Sequence, residues 1–347
     1  MRIAVVGGGI AGAMLAFRLR QESPRAELTV FTTAAAPDDA TAASGGMVRG
    51  FETHADSCRL AAESLTELRG SAWLTRAGDY REVGSVYVLP PDEDPAGRLS
   101  VLEELLPGSA RTEPAHRLAG TAGLRGLPAG VTAVVERLAG HLSPAGLRSS
   151  VLRRLAGSGV RIVPATVRRI TRRAAVLLPD GSSRRYDMVV AAAGAWTPSL
   201  LPHSGGGLRT KRIQYGVYPL DVPGLGAFVD ANSDLYGRPC GPGRFLLGQG
   251  TDDWDVVPGR VASEPALSDR VRAAARTLFG RPDDPLAPVR LVASFDCYAP
   301  DGGLRLRPVP ETSQVFTFTG GSGGAAKTVL AASRLAARHL LGTPAPR

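Results

Sequence analysis

The sequence predicts an α/β protein built on a Rossmann-type parallel sheet, with a second, antiparallel sheet assembled from the intervening segments. Three observations predict it. A short apolar strand, Ile3 to Val6, runs into Gly7, Gly9 and Gly12 and then into a helix. A wholly apolar run, Met188 to Ala193, ends in Gly194-Ala195-Trp196, as expected of a strand buried on both faces. A late strand, Gln314 to Thr319, enters Gly320-Gly321-Ser322-Gly323-Gly324, and a helix follows from Ala325 to Leu341.

The opening turn is the G-x-G-x-x-G pattern of a dinucleotide site in its strand–helix setting. Gly7 permits the tight turn, Gly9 lets a pyrophosphate approach the backbone, and Gly12 lets helix and strand pack closely. Ile10 and Ala11 begin the helix, whose free N–H groups point toward the phosphates. Glu27 to Phe31 reads as the second strand. An acidic residue often ends this strand and binds a ribose; here Thr32 and Thr33 stand there.

A small-residue loop, Ala34 to Ser44, leads to Ser44-Gly45-Gly46. Leu60, Leu65 and Leu68 give helical spacing over Ala55 to Leu68, and Arg81 to Leu89 alternates like one strand. Pro, Gly and charge between 90 and 130 predict loops and short helices. Ser143-Pro144 is an N-cap and N1 pair, opening a helix to about Ala156 with Leu147, Val151, Leu152 and Leu155 inward. Strands follow at Val160–Val163, Arg168–Ile170 and Ala175–Leu178, with a turn at Asp180-Gly181 and a return over Arg184–Asp187. Lys211 to Leu247 is strand-like and broken by Pro and Gly, and Ala266 to Phe279 fits a helix. The closing glycine junction offers a second helix N-terminus for a negative centre.

Composition narrows the function. The formal charge of +9 rests on 41 basic residues, of which only Lys211 and Lys327 are lysines. These residues are scattered and aromatics are few, which points away from nucleic acid and toward an anionic small molecule or a solvated surface. Cys58, Cys240 and Cys297 form no C-x-x-C pair, and five dispersed histidines give no metal spacing. The apolar N-terminus is too short and too glycine-broken to span a bilayer, so no membrane partner is expected and a reducing cytoplasm is the expected compartment.

Taken in order, VVGGGIAG, AASGGMVR, HLSPAGLRSSVLRRLAGSGVRI, VVAAAGAW and TFTGGSGGAAK resemble the D-amino-acid oxidase superfamily, within it the glycine oxidase and monomeric sarcosine oxidase branch. The resemblance covers nearly the whole chain and is least over 90–140. It implies a glutathione-reductase-like FAD-binding domain from 1–75, 140–205 and 290–347, with 76–139 and 206–289 as a discontinuous substrate domain. It also implies oxidation of a carbon–nitrogen bond of an amino acid or secondary amine, free or carrier-tethered.

The same resemblance places residues. Gly7, Gly9 and Gly12 would hold the FAD pyrophosphate and Thr32 would take the ribose position. Ser44 and Gly45, with Gly46 beside them, would face the pyrophosphate and flavin. Val167 would offer its backbone to the adenine. Gly194 and Trp196 would lie beside the cofactor. Gly321, Gly323, Gly324, Ala325 and Lys327 would sit at the pyrimidine end of the flavin. Lys327 with Arg49 would bind a substrate carboxylate, and Tyr236 matches a pocket tyrosine. Three departures stand out. The covalent flavin cysteine falls on Ser294, with Cys297 three residues later, so FAD is expected to be non-covalent. The oxygen-activating lysine aligns with Leu246, and the acidic ribose ligand is missing. Two other readings remain: a flavin hydroxylase or halogenase, disfavoured because no acid stands in Gly320–Gly323, and a degenerate flavin fold serving as a binding subunit.

Overall fold

In the computed structural model, residues 1–33, 39–202 and 207–342 are described. Residues 34–38 of the expected small-residue loop lie outside them. The central strand, Arg2–Val6, pairs in parallel with Glu27–Thr32 on one side and Met188–Ala191 on the other. Arg161–Pro164 extends the sheet beyond the first neighbour, and Val315–Thr319 extends it beyond the second. Arg305–Pro308 closes that edge in antiparallel pairing, giving six strands. Val5, Val30, Val190 and Val315 are at most 1% exposed, so both faces of the sheet are covered.

One face packs on the helix Ile10–Glu22, whose Ala13, Met14, Leu15, Ala16 and Leu19 are wholly buried. Alanine and glycine on this helix let two others lie close, Pro144–Ala156 and the closing helix Ala325–Leu340. The helix Ala55–Gly70 covers the closing helix in turn, and Ser64 Oγ accepts a 3.0 Å hydrogen bond from Ala331 N–H. Ser143 Oγ accepts from Gly146 N–H at 3.1 Å, the N-cap that its sequence position implies.

A second sheet has eight strands. Its order is Arg290–Tyr298, Arg209–Tyr218, Phe245–Gln249, Leu235–Pro239, Ala227–Asp230, Ser85–Val88, Thr132–Glu136 and Ala110–Pro114. All its pairings are antiparallel except Ala227–Asp230 with Ser85–Val88. The helix Pro265–Phe279 packs beneath it through Val271, Ala275, Leu278 and Phe279.

Several boundaries differ from the sequence reading. Strand Arg290–Tyr298, expected with the dinucleotide sheet, forms the edge of the eight-stranded sheet. Nine consecutive register pairs with Arg209–Val217 hold it there, outweighing its nearness in sequence to the last parallel strand. The run Arg81 to Leu89 is two strands, because Gly84 turns with φ +73° and the halves join different sheets. Thr132–Glu136, which follows the turn at Ala129-Gly130 within the segment expected to hold loops and short helices, is a strand. Leu152 is only half-buried and faces the cavity described next.

Candidate active site

A cavity of about 840 Å³ runs between the two sheets. Its floor is the C-terminal end of the parallel strands, where an open α/β sheet presents its crevice. At Gly7 the chain takes φ +118°, and a Cβ there would lie 2.3 Å from Ala192 O, so only glycine lets the two strand ends approach. Gly9 differs. A Cβ on it would meet only Thr41 Oγ1, at 3.3 Å, and its open side is the cavity. Thr41 Oγ1 accepts a 3.0 Å hydrogen bond from Ile10 N–H, fixing the helix start; Ala11 lines the cavity beside it.

Thr32 and Thr33 lie at the cavity wall, with Thr32 against Gly8. Beyond them Arg148 pairs with Asp39 at 2.6 Å, and Ala42 N–H donates to Asp39 Oδ1 at 2.8 Å. An acid therefore stands on this wall, from the loop after the strand rather than from the strand's end. Ser44, Gly45, Gly46, Val167 and Gly194 all line the same cavity. Trp196 also does, its ring edge-on to Phe295 with centroids 5.1 Å apart.

At the far end the closing strand turns through Gly320 and Gly321 into the helix that begins at Ala325. Gly321, Gly323 and Ala325 line the cavity, and Gly324 caps the helix. Lys327 sits in its first turn. Lys327 Nζ is 2.6 Å from Glu52 Oε1, and Arg49 Nη2 is 3.2 Å from the same oxygen. The structure thus brings Arg49 and Lys327 together, but on an internal carboxylate. Arg49 is further held by Nε donating to Phe51 O at 2.8 Å and by its place 5.2 Å over the Tyr87 ring.

The electrostatics follow from burial. Desolvation alone would raise Glu52; Arg49 and then Lys327 outweigh it and hold the carboxyl below its ordinary value. Burial, then Arg49, lowers Lys327, with Glu52 opposing. Glu136 accepts from Gly50 and Phe51 N–H at 2.8 and 3.1 Å, yet burial pushes its carboxyl up.

The eight-stranded sheet supplies the roof. Tyr215, Tyr236, Phe295, Asp296 and Tyr298 line it. Tyr236 fits because its cross-strand neighbour is Gly248, where a Cβ would fall 2.4 Å from the phenol oxygen. Asp296 is 6% exposed, and its Oδ2 has no hydrogen-bond partner among the described residues. Burial pushes this carboxyl up to about 7. Leu246, at the position matched to an oxygen-activating lysine, packs beside Gly45.

The sequence profile of DAO, FAD dependent oxidoreductase, matches residues 2–339. The chain belongs to this family. No curated protein sequence matches the oxidoreductase. Solved structures share its fold. L-proline dehydrogenase from P. horikoshii superposes with a TM-score of 0.84 at 15% identity, over 99% of this chain and 94% of the other. Glycine oxidase from Geobacillus kaustophilus gives 0.80 at 18% identity, over 99% and 96%. Iminodiacetate oxidase from Chelativorans sp. BNC1 gives 0.74 at 21% identity, over 100% and 97%.

The residues of the oxidoreductase fit FAD. Gly9 leaves the phosphate turn open where a side chain would fill it, and the helix behind contributes first-turn N–H groups. The cavity continues from that turn past Ser44 and Gly194 to Gly323 and Lys327. Among the described residues no cluster of His, Cys, Asp and Glu could hold a metal ion, and no helix is long and apolar enough to cross a membrane.

Sequence reasoning missed Thr41, Asp39, Glu52 and Asp296. Glu52 had a local signal, three residues after Arg49. Asp296 had one too: Val292, Ser294, Asp296 and Tyr298 alternate along one face of a strand, so an acid falls in line with a buried serine and two half-buried neighbours.

Proposed function

We propose that this oxidoreductase removes two electrons from a carbon–nitrogen bond of an amine or amino acid, leaving an imine. When bound, FAD supplies the oxidant for that bond. The six-stranded sheet holds the cofactor, and the eight-stranded sheet roofs the place where substrate enters. The observation that carries this reading is the single cavity joining the phosphate turn at Gly7–Gly9 to the aromatic roof at Tyr236 and Tyr298. The folds it resembles include an amino-acid dehydrogenase and two amine or amino-acid oxidases.

The chain's own residues have separable tasks in this reading. Gly7, Gly9, Gly12, Ile10 and Ala11 seat the pyrophosphate, and Asp39 with Thr32 and Thr33 lies at the ribose. Lys327, with the N-terminus of its helix, sets positive charge where electron density accumulates on reduction. Tyr215, Tyr236 and Phe295 exclude water and orient the substrate.

The purified protein should show a flavin absorption spectrum, and anaerobic addition of an amine from a structurally varied panel should bleach it. Bleaching only by a reduced nicotinamide would instead favour a hydroxylase. Absence of flavin after reconstitution would favour a binding subunit. A free amine and the same group on a carrier thioester, compared side by side, decide which form is the substrate.

A further inference from the structure

In an active site that oxidises an amine, two carboxylates face the wrong way for a substrate that carries its own. Glu52 already occupies both cations at the closing helix, at 2.6 Å from Lys327 and 3.2 Å from Arg49. A substrate carboxylate would have to displace it, and Glu52 would then be buried without a partner. Across the cavity, the roof presents Asp296 with no cation paired to it among the described residues. Its register partner, Lys211, turns Nζ to the face of Trp254, 4.7 Å from the ring centroid, and toward Asp252 at 4.0 Å.

We propose that Asp296 receives the substrate amine as an ammonium ion, and that the site selects amines with no free carboxylate. This assignment rests on the C–N oxidation proposed above. The ammonium N–H donates to the Asp296 carboxylate. The N–H bond then breaks, its electron pair stays on nitrogen, and the proton passes to an Asp296 oxygen. The amine is left neutral, the form from which a carbon–nitrogen bond is oxidised. No electron is gained or lost in this step.

The surroundings suit that task. Around Asp296 are Tyr236 from the strand Leu235–Pro239 and Tyr298 and Cys297 from its own strand, while Lys211, its register partner, keeps its ammonium on Trp254. From the closing turn, Gly323 approaches its Oδ2, and Gly323 N–H donates to the Tyr298 phenol oxygen. Aromatic rings welcome a cation that a plain apolar wall would reject. Burial holds the carboxyl near neutrality, where it can both accept and return a proton.

The test uses the FAD-loaded protein without oxygen at about pH 8, with two probes, N-methylpropylamine and N-methylglycine. Binding is read by titration calorimetry in buffers of different ionisation enthalpy and by the shift in flavin absorption. N-Methylpropylamine should bind at least ~10-fold tighter than N-methylglycine, without releasing a proton to the buffer. Asp296→Asn should retain FAD, bind N-methylpropylamine ~10- to 100-fold more weakly, and release a proton on binding it. Glu52→Gln should narrow the gap by tightening N-methylglycine. Tighter binding of N-methylglycine by the wild type, or unchanged binding by Asp296→Asn while amines still bleach the flavin, overturns the proposal alone. If no amine bleaches the flavin, the C–N oxidation reading falls and the proposal with it.

Discussion

Lys327 Nζ and Glu52 Oε1 lie 2.6 Å apart, joining the first turn of the last helix to the segment that follows Arg49. Removing the carboxylate leaves two buried cations facing each other. Glu52→Gln should therefore destabilise the fold by about 3 kcal/mol, read as a lower urea midpoint. Lys327→Met should cost less, since Arg49 still neutralises Glu52.

The same pair sets an acid limit. Glu52 is depressed in the folded protein, so its contribution is present above its ordinary value of 4.5 and is lost as pH falls through the lower folded value. Urea midpoints measured down through that range should drop more steeply for the wild type than for Glu52→Gln.

Asp296 acts in the opposite sense. Its folded value is raised from 3.8 to about 7, so the native state binds the proton more tightly and stability falls as pH rises between those values. Asp296→Asn should raise the thermal midpoint at pH 8, by an amount equivalent to at most about 4 kcal/mol. The gain should shrink from pH 7 to 4 and vanish below about pH 4. A gain of equal size at every pH would mean that the Asp296 carboxyl holds its proton no more tightly in the folded protein than in the unfolded one.

Gly7 and Gly9 should separate folding from cofactor capture. Gly7→Ala places a Cβ 2.3 Å from a backbone oxygen at φ +118°, and soluble protein should be lost. Gly9→Val has only Thr41 Oγ1 to move, so circular dichroism should match the wild type while the protein comes off the column colourless.

Ser294 stands, fully buried, where a flavin-linking cysteine would be expected. Cys297 lines the cavity, but its thiol is pushed up by burial, and Thr319 and Gly320 engage it by hydrogen bonds. Acid precipitation should release all the yellow colour into the supernatant. Colour in the pellet, lost in Cys297→Ser, would show a covalent bond.

The parallel sheet was legible because its requirements are local. A strand, a turn at Gly7 and a helix at Ile10 are contiguous in sequence, and the apolar run Met188–Ala191 can only be a strand covered on both faces. The roof was less legible. Arg290–Tyr298 joins the eight-stranded sheet through pairing with Arg209–Val217, a partnership no local pattern announces. Arg49 and Lys327 were found as cations near one another, but Glu52 between them was not. A single acid near an arginine reads as surface in a chain with 41 basic residues. Asp296 is an acid whose meaning depends on what does not reach it, and that is a property of packed neighbours.

The edge strand that carries Asp296, the parallel strand Val315–Thr319 and the helix that carries Lys327 are all made late. During synthesis the opening strand finds both its neighbours early, but the parallel sheet still lacks two strands and the roof sheet one. A ribosome-bound chain halted near residue 280 would have a nucleotide cradle with nothing to react in it. On the function proposed above, chemistry waits for segments that follow residue 290, an order of events imposed by where the strands fall along the chain.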